Sequence, residues 1–269
     1  QKERRRRDLA RFAPLFSGSS GNCTYIGCSG GGILIDAGVS AKAITAALAQ
    51  MDLEPSAIQA IFVTHEHIDH VKGLKVFAGK NHIPIYASAK TLEALEAGER
   101  YDARTEGRAM NGAPVALAHM QVTRFATSHD CPGSSGYVVE TADGRKMAVC
   151  TDLGYVSEEV RAALTGCDLV LLESNHDVMM LQNGPYPYPL KRRILSDSGH
   201  LSNAGCAAEL GGLIQAGATR LVLGHISKEN NYPELALASA RAALTDGGFK
   251  ENMDYILQAA PPAGGRMLV

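Results

Sequence analysis

The sequence lacks the features that direct a chain to a membrane or to a disulfide-stabilised fold. No apolar stretch approaches the roughly 20 residues of a transmembrane helix. The six cysteines include no CxxC pair, and no signal peptide with an apolar core precedes them. We therefore predict free thiols in a reducing cytoplasm and no association with a membrane.

A large net charge is also missing. The 26 Lys and Arg residues nearly balance the 28 Asp and Glu residues. Residues 1–10 contain five of the basic and two of the acidic residues, so residues 11–269 have 21 basic and 26 acidic residues and a net charge of −5. This acidity excludes a general polyanion binder, and a nucleic-acid function would have to depend on a local basic patch or on metal ions.

The length and the composition indicate one globular domain. A chain of 269 residues with 45% hydrophobic residues can bury a large core without disulfides. The charge run at residues 1–10 has no apolar periodicity, which is typical of a solvated tail, an alternative start or a remnant of cloning. No linker divides the rest of the chain, so we predict a single domain over residues 11–269.

The periodicity predicts two batches of strands, each followed by helices. This order favours an α/β (α+β) fold with two sheets packed face to face and helices outside them. Residues 98–112 read as a loop, and residues 184–189, with three prolines, as a stiff loop on a rim. The predicted strands cover 11–16, 22–26, 33–36, 58–63, 83–87, 115–125, 135–141, 146–151, 169–173 and 221–223. The predicted helices follow Ser40 and cover 71–78, 88–96, 157–164, 203–216 and 233–246.

A cluster of metal-ligand side chains follows the buried strand at residues 58–63. It consists of His65, His67, Asp69 and His70. Imidazole and carboxylate groups are the ligands that zinc, manganese and iron accept. The alternative is a polar surface turn with incidental histidines. The position directly after an apolar strand favours the metal site, and four such ligands in one loop can serve two ions.

Three more polar residues each end an apolar run. His129 follows the run at 122–127, Asp152 follows the run at 147–151, and His225 follows the run at 221–224. The ends of neighbouring strands converge on one edge of a layered fold, so ligands distant in sequence can meet there. His82 and His119 lack this placement and are predicted to have no functional role.

The series from His65 to His225 resembles the five motifs of the metallo-β-lactamase superfamily. The resemblance implies a four-layer αββα sandwich with two divalent metal ions at one edge of the sheets, zinc first and manganese or iron as alternatives. It also implies a hydroxide between the ions as the nucleophile, with Asp69 orienting it. The implied ligands are His65, His67 and His129 for the first ion, Asp69, His70 and His225 for the second, and Asp152 as the bridge.

Longer motifs resemble the YycJ/WalJ group of bacterial phosphodiesterase-like members of this superfamily. The motifs are Ser-Gly-Ser-Ser-Gly-Asn at 17–22, Thr-Ser-His-Asp at 127–130, Gly-Ser-Ser-Gly at 133–136, Glu-Ser-Asn-His-Asp at 173–177, Gly-His-Leu-Ser-Asn at 199–203 and Leu-Gly-His-Ile-Ser-Lys-Glu-Asn-Asn at 223–231. This resemblance implies a metal-dependent phosphodiesterase, and more narrowly a 5′-to-3′ exonuclease on DNA.

Two further residues are candidates for leaving-group chemistry. Glu173 and His200 resemble the acid and the histidine that nucleases of the superfamily place opposite the nucleophile, which makes His200 the predicted general acid. The segment that contains His200 leads into a predicted helix N-terminus, where phosphate also binds. The alternative for His200 is a loop histidine hydrogen-bonded to the backbone.

The predicted contacts with substrate are less specific. Lys191, Arg192 and Arg193 form a local basic cluster that could grip a phosphate backbone, or they are a solvated surface. His176 follows the strand at 169–173 and is predicted to contact substrate, with a structural hydrogen bond as the alternative. Asn203, in the motif after His200, is the fifth predicted substrate contact.

Three other functions compete with the nuclease. A small-molecule hydrolase for a cyclic nucleotide, a lactone or a thioester would use the same pair of metals without the basic cluster. A diiron electron-transfer module is disfavoured because His67 stands where such members have a carboxylate. A metal-free scaffold is disfavoured because the ligand set is complete.

Overall fold

The computed structural model describes residues 10–264, which divide into two compact units. The first unit comprises residues 10–124, 131–145 and 261–264, and the second comprises 125–130 and 146–260. Most of the predicted tail at 1–10 lies outside the described residues. Ala10 is described: it is buried, and its amide donates a hydrogen bond to Asp143 Oδ2 at 3.2 Å. The prediction of a tail through residue 10 is therefore wrong at Ala10, and a single domain over 11–269 stays a prediction.

The first unit contains a six-stranded sheet in which sequence neighbours are spatial neighbours. The first three strands pair antiparallel and the next three add in parallel. Its strands are β1 (Arg11–Phe16), β2 (Cys23–Cys28), β3 (Gly31–Ile35), β4 (Ile58–Phe62), β5 (Ile85–Ala87) and β6 (Gly107–Ala109). β3 and β4 are buried except at the partly exposed Gly31, which starts β3, and at the exposed Gln59 of β4, as their mostly apolar sequences predict for strands covered on both faces.

Four helices of the first unit follow these strands. They are α1 (Ala41–Ala49), α2 (Ile68–Val71), α3 (Leu74–Asn81) and α4 (Ala89–Ala97). Ser40 caps α1 and Ser88 caps α4, each side chain accepting a hydrogen bond from a backbone amide three residues on. Ile44 and Leu48 of α1 and Phe77 of α3 enter one core with the first sheet. The helix predicted at 71–78 is in fact two helices, α2 and α3.

The remaining strands of the first unit correct one prediction. The segment predicted as a single strand at 115–125 is a hairpin of β7 (Val115–Leu117) and β8 (Met120–Ala126). Ala118 and His119 form its turn with φ of 52° and 59°. Two consecutive left-handed residues match the twist of a tight hairpin, although neither is the glycine or asparagine that announces such a turn. β9 (Ser135–Thr141) follows as predicted.

The second unit is built on four parallel strands. They are β10 (Lys146–Cys150), β11 (Leu169–Glu173), β12 (Arg220–Gly224) and β13 (Ile256–Ala259), paired in that order. Parallel pairing places their carboxyl ends at the same edge. Side chains that follow β10, β11 and β12 are therefore brought close together, as the sequence predicts.

Five helices connect or follow these strands among the described residues of the second unit. They are α5 (Glu158–Leu164), α6 (Val178–Asn183), α7 (Tyr188–Ile194), α8 (Asn203–Gln215) and α9 (Pro233–Asp246). The prediction of a loop through residue 189 is wrong at its end, because α7 begins at Tyr188. Pro187 is its N-cap and Pro189 lies in its first turn. A helix tolerates proline there because the first amides have no intrahelical acceptor.

The strands form two sheets with helices, which confirms the predicted mixed α/β class. β6, β13, α6 and α7 were not predicted. Each is short, between three and seven residues, and periodicity needs a longer window to identify an element. None of the helices among residues 10–264 has the length and apolar character needed to cross a membrane.

Candidate metal centre and its neighbours

The predicted metal ligands lie in two groups, one in each unit. The first unit contains the four ligands from the loop after β4 and from α2, and the second unit contains three ligands that follow strands. The first group is His65, His67, Asp69 and His70, and the second group is His129, Asp152 and His225.

The first group is positioned by a buried strand that runs directly into a short helix. β4 ends at Phe62, and α2 begins at Ile68 with His67 as its N-cap. Because the end of β4 is buried, the loop that follows it also lies in the interior, and His65 and His70 are buried. One turn of helix then brings Asp69 and His70 back beside the loop.

The spacing of donor atoms in this first group fits metal coordination. His65 Nε2 lies 3.0 Å from His67 Nδ1. Two nitrogens that bind one tetrahedral ion at about 2.05 Å are about 3.3 Å apart, so this pair has the separation of two ligands of one ion. His70 Nε2 lies 3.6 Å from Asp69 Oδ2, which suits ligands of a second ion.

Asp36 orients His70. Asp36 is buried after β3, and its Oδ2 accepts a hydrogen bond from His70 Nδ1 at 2.7 Å, so Nε2 is the candidate ligand atom of His70. Its Oδ1 accepts the amide of Thr64 at 2.8 Å. Burial raises the pKa of Asp36 above its ordinary value, although His70 and Thr64 oppose this shift. Sequence analysis missed Asp36, which has the same signal as the other ligands: a polar residue directly after an apolar strand.

The glycine-rich segment at 17–22 supports the same group. The amide of Asn22 donates to Asp69 O at 2.8 Å, and Asn22 Nδ2 lies 3.1 Å from His70 Nε2. Asn22 Oδ1 accepts a hydrogen bond from the amide of Gly18 at 3.0 Å, which closes the segment on itself. This motif therefore anchors α2, a role that the sequence alone did not assign.

The second group follows the ends of β8, β10 and β12. Asp152 and His225 have left-handed backbones, with φ of 60° and 51°. This conformation is uncommon for residues other than glycine, and for side chains at a candidate site it indicates a backbone held in place for function. His225 lies directly after β12, and Asp152 lies two residues after the end of β10.

A backbone carbonyl selects the ligand atom of His129. His129 Nδ1 donates to Gly199 O at 3.0 Å, which makes Nε2 the candidate ligand atom. Nε2 lies 3.9 Å from Asp152 Oδ1. Position 199 requires glycine, because a Cβ there would lie 2.2 Å from the carbonyl oxygen of Ile194.

Glu173 connects His225 to His200. Its fully buried Oε1 accepts hydrogen bonds from His225 Nδ1 at 2.6 Å and from His200 Nδ1 at 2.9 Å. Its Oε2 accepts the amides of Leu153 and Leu201 at 3.1 and 3.0 Å. Burial alone would raise the pKa of Glu173, but the two histidines lower it well below its ordinary value. Glu173 is therefore an ionised carboxylate that fixes both imidazoles.

His200 lies beside the second group and is partly exposed. Burial lowers the pKa of His200, but the charge of Glu173, the hydrogen bond to Glu173 and the charge of Asp152 together outweigh burial, so the pKa is raised above its ordinary value. Its Nδ1 lies 3.7 Å from Asp152 Oδ1. One ligand atom each from Asp152, Glu173, His200 and His225 lie within 4.8 Å of one another. Of these, Asp152 and His225 belong to the predicted ligand set, and carboxylate and imidazole ligands suit zinc, manganese or iron.

The three residues of the predicted basic cluster lie in three different environments. Lys191 Nζ donates to Gln182 O at 2.8 Å and to Gly184 O at 2.7 Å. Arg193 is paired with Asp130 through two hydrogen bonds. Arg192 is exposed and has no ion pair or hydrogen bond with the described residues. Lys191 and Arg193 therefore have partners within the protein, and the contact of all three residues with DNA stays a prediction.

Asn203 also has internal partners. Its Oδ1 accepts hydrogen bonds from Ser174 Oγ at 2.7 Å and from Asn231 Nδ2 at 2.8 Å, and its Nδ2 donates to Asn231 Oδ1 at 3.0 Å. The amide is buried and fully used. Asn203 therefore joins the start of α8 to the chain after β11 and β12, and its contact with substrate stays a prediction.

His176 lies in the wall of a cavity of about 710 Å³ in the second unit. The same cavity is lined by Tyr155, Leu195, His200 and Ser202. His176 is 1% exposed, and neither ring nitrogen has a hydrogen-bond partner among the described residues. Burial lowers its pKa to about 4, so the imidazole is neutral at physiological pH. A cavity beside His200 provides space for part of a substrate.

Comparisons with known proteins agree with this geometry. The beta-lactamase superfamily domain matches residues 32–226. Exodeoxyribonuclease YycJ of Bacillus anthracis is 38% identical over 250 residues, covering 88% of this chain and 90% of that protein. Exodeoxyribonuclease WalJ of Streptococcus pneumoniae D39 is 38% identical over 256 residues, covering 94% of each chain.

A solved structure supports the fold. Zn(2+)-bound PqqB from Methylobacterium extorquens aligns with a TM-score of 0.72 and 16% sequence identity, covering 95% of this chain and 99% of that one. At this identity the likeness concerns the fold alone. Together with the superfamily match, it confirms the fold class predicted from the sequence.

Proposed function

The chain belongs to the beta-lactamase superfamily and, within it, to the group of the YycJ and WalJ exodeoxyribonucleases, and we propose from this membership that it is a metal-dependent 5′-to-3′ exodeoxyribonuclease. The observation that carries the proposal is the 38% identity to WalJ over 256 residues, which cover 94% of this chain. The donor spacing within each ligand group supports it.

Membership in this superfamily implies divalent metal ions. We propose that the two ligand groups together hold two of them, with zinc first and manganese or iron as alternatives. Such ions supply a nucleophile by lowering the pKa of water, and they neutralise charge on the phosphate. The proposed ligands are His65, His67 and His129 for one ion, Asp69, His70 and His225 for the other, and Asp152 for both.

The residues around these ligands would orient the reactants and move protons. Asp69 would orient the attacking water. His200, which is partly exposed and has a raised pKa, would donate a proton to the oxygen that leaves the phosphate. Glu173 would act as a positioning residue, because its Oε1 holds Nδ1 of both His200 and His225. His176, in the cavity wall beside His200, would contact the substrate.

The cysteines are consistent with a reducing compartment. All six are free thiols, and four of them are buried. Burial raises the pKa of Cys23, Cys150 and Cys206, which keeps these thiols protonated and unreactive. We therefore propose that the protein acts on DNA in the cytoplasm.

The proposal is tested with the purified full-length chain and three substrates. With Mn²⁺ or Zn²⁺ we expect cleavage of end-labelled DNA and of bis-p-nitrophenyl phosphate, and no turnover of the β-lactam nitrocefin. Comparing 5′-phosphorylated with 5′-hydroxyl strands, labelled at either end, measures the polarity. Turnover of the lactam without turnover of either phosphodiester would replace the nuclease with a small-molecule hydrolase.

A conservative change at Glu173 tests its positioning role. We expect Glu173→Gln to lower metal affinity by about 10- to 100-fold, the usual loss when a carboxylate that orients a metal-binding histidine is removed. Metal titration and DNA cleavage at saturating metal measure the two effects separately. Because Glu173 also holds His200, cleavage should stay low when metal is saturating. Full recovery of activity with added metal would limit Glu173 to the metal site.

A further inference from the structure

One face of α7 has three exposed side chains, one aromatic, one cationic and one aliphatic. Tyr188, Arg192 and Leu195 lie at positions i, i+4 and i+7, so they share one face of the helix or its C-cap. Tyr188 is 72% exposed and Leu195 is 42% exposed. The ring of Tyr188 is therefore accessible to a planar ligand from solvent.

Arg192 differs from the basic residues on either side of it. Lys191 is bound to backbone carbonyls and Arg193 to Asp130, whereas Arg192 has no ion pair or hydrogen bond within residues 10–264. Its guanidinium is therefore available to an external anion, one helical turn from the ring of Tyr188. Because residues 11–269 have a net charge of −5, binding of a phosphate backbone depends on local cations such as Arg192.

The face leads to the proposed general acid. The amide of His200 donates to Ile194 O, in the last turn of α7, at 3.0 Å. Leu195 and His200 line the same cavity of about 710 Å³. From Tyr188 to Leu195 the helix rises roughly 10 Å, so a flexible strand that lies along this face is delivered to His200.

An exposed aromatic ring beside an available guanidinium matches the chemistry of single-stranded DNA. Unpaired bases stack on aromatic rings, and guanidinium groups pair with phosphates, whereas the bases of a duplex are already stacked on one another. Resting on the proposed nuclease function, we propose that the face formed by Tyr188, Arg192 and Leu195 is a track for single-stranded DNA that leads to His200. Tyr188 stacks on a base and Arg192 pairs with a phosphate.

The test measures binding of the full-length, metal-loaded protein to a 3′-fluorescein oligonucleotide with phosphorothioate linkages, which slow cleavage. We expect Tyr188→Ala to raise the dissociation constant for the single strand by about 5-fold or more, the effect of losing one stacked base. Tyr188→Trp keeps an aromatic ring and should have a dissociation constant close to that of the wild type. Arg192→Ala should flatten the salt dependence by about 0.7 in the log–log slope, as for one phosphate contact.

Matched controls are exposed residues elsewhere in the chain. Met253→Ala removes a side chain that is 78% exposed, and Lys42→Ala removes an exposed cation; both should bind the oligonucleotide as the wild type does. Circular dichroism confirms folding, which substitutions of exposed side chains should preserve.

The outcomes separate this inference from the proposed function. If the wild type cleaves DNA and Tyr188→Ala and Arg192→Ala both bind the single strand as tightly as it does, the track is wrong and the nuclease stands. Equal weakening for a blunt duplex and for the single strand also overturns the preference for single strands. If the wild type binds through Tyr188 and Arg192 but cleaves no phosphodiester, the track stands and the nuclease fails.

Discussion

Replacing Asp152 by Asn is expected to remove DNA cleavage and metal retention together. Asp152 is the one ligand assigned to both ions, so its loss should disable the pair. Metal ions contribute several kcal/mol to stabilising the charge in the transition state, which corresponds to about 10³-fold in rate. The change is measured by metal analysis of protein purified without chelator, alongside cleavage of end-labelled DNA.

Asn is the informative substitution because of the backbone at this position. Asp152 has φ of 60°, a conformation that Asn adopts more readily than Ala does. Asp152→Ala should lose activity as well, but it adds backbone strain. Asp246→Ala is the matched control, since Asp246 is exposed at the end of α9. Normal metal content in Asp152→Asn would exclude Asp152 from the ligands.

Replacing His200 by Ala is expected to leave the metal in place and to lose the chemical step. A general acid contributes typically 10²- to 10⁴-fold, so cleavage of DNA should fall by about this factor. The alkoxide that leaves DNA needs a proton, whereas p-nitrophenolate leaves without one. The loss should therefore be much smaller for bis-p-nitrophenyl phosphate than for DNA, and the ratio of the two losses measures the role of His200.

The control for His200 is a histidine for which no function is predicted. His82→Asn keeps a residue that tolerates the left-handed backbone at this position, where φ is 54°, and should cleave both substrates normally. Equal losses for DNA and the activated ester in His200→Ala would assign His200 to binding or to the structure of the site. Loss of metal in this variant would make it a ligand.

The sequence predicted the elements that depend on local pattern. β4 and β11 are continuous apolar runs, and the helices capped by Ser40, Ser88 and Ser157 have apolar residues at helical spacing. α7 was missed because three prolines at 184–189 indicate a loop, and only the surrounding packing selects a helix from Tyr188 onward. The hairpin at Ala118 was missed because its turn contains no glycine.

The candidate site was predictable to a similar degree. Each predicted ligand is a polar residue after an apolar strand, and Asp36 has this signal too, although it was overlooked. The sequence could not separate Lys191, Arg192 and Arg193, because three consecutive cations have the same local pattern. Lys191 donates to Gln182 and Gly184, and Arg193 pairs with Asp130, and no local rule relates residue 193 to residue 130.

By itself the sequence determined the chemistry of this protein. Imidazoles and carboxylates follow apolar runs, and because each apolar run forms a buried strand, the polar residue after it lies at the end of that strand. The tertiary structure decided which atoms of those side chains are presented. Asp36, Gly199 and Glu173 each accept a hydrogen bond from Nδ1 of a histidine and thereby select Nε2 of His70, His129 and His225. A hydrogen bond between residues dozens of positions apart depends on distance and direction in space, which no sequence period encodes.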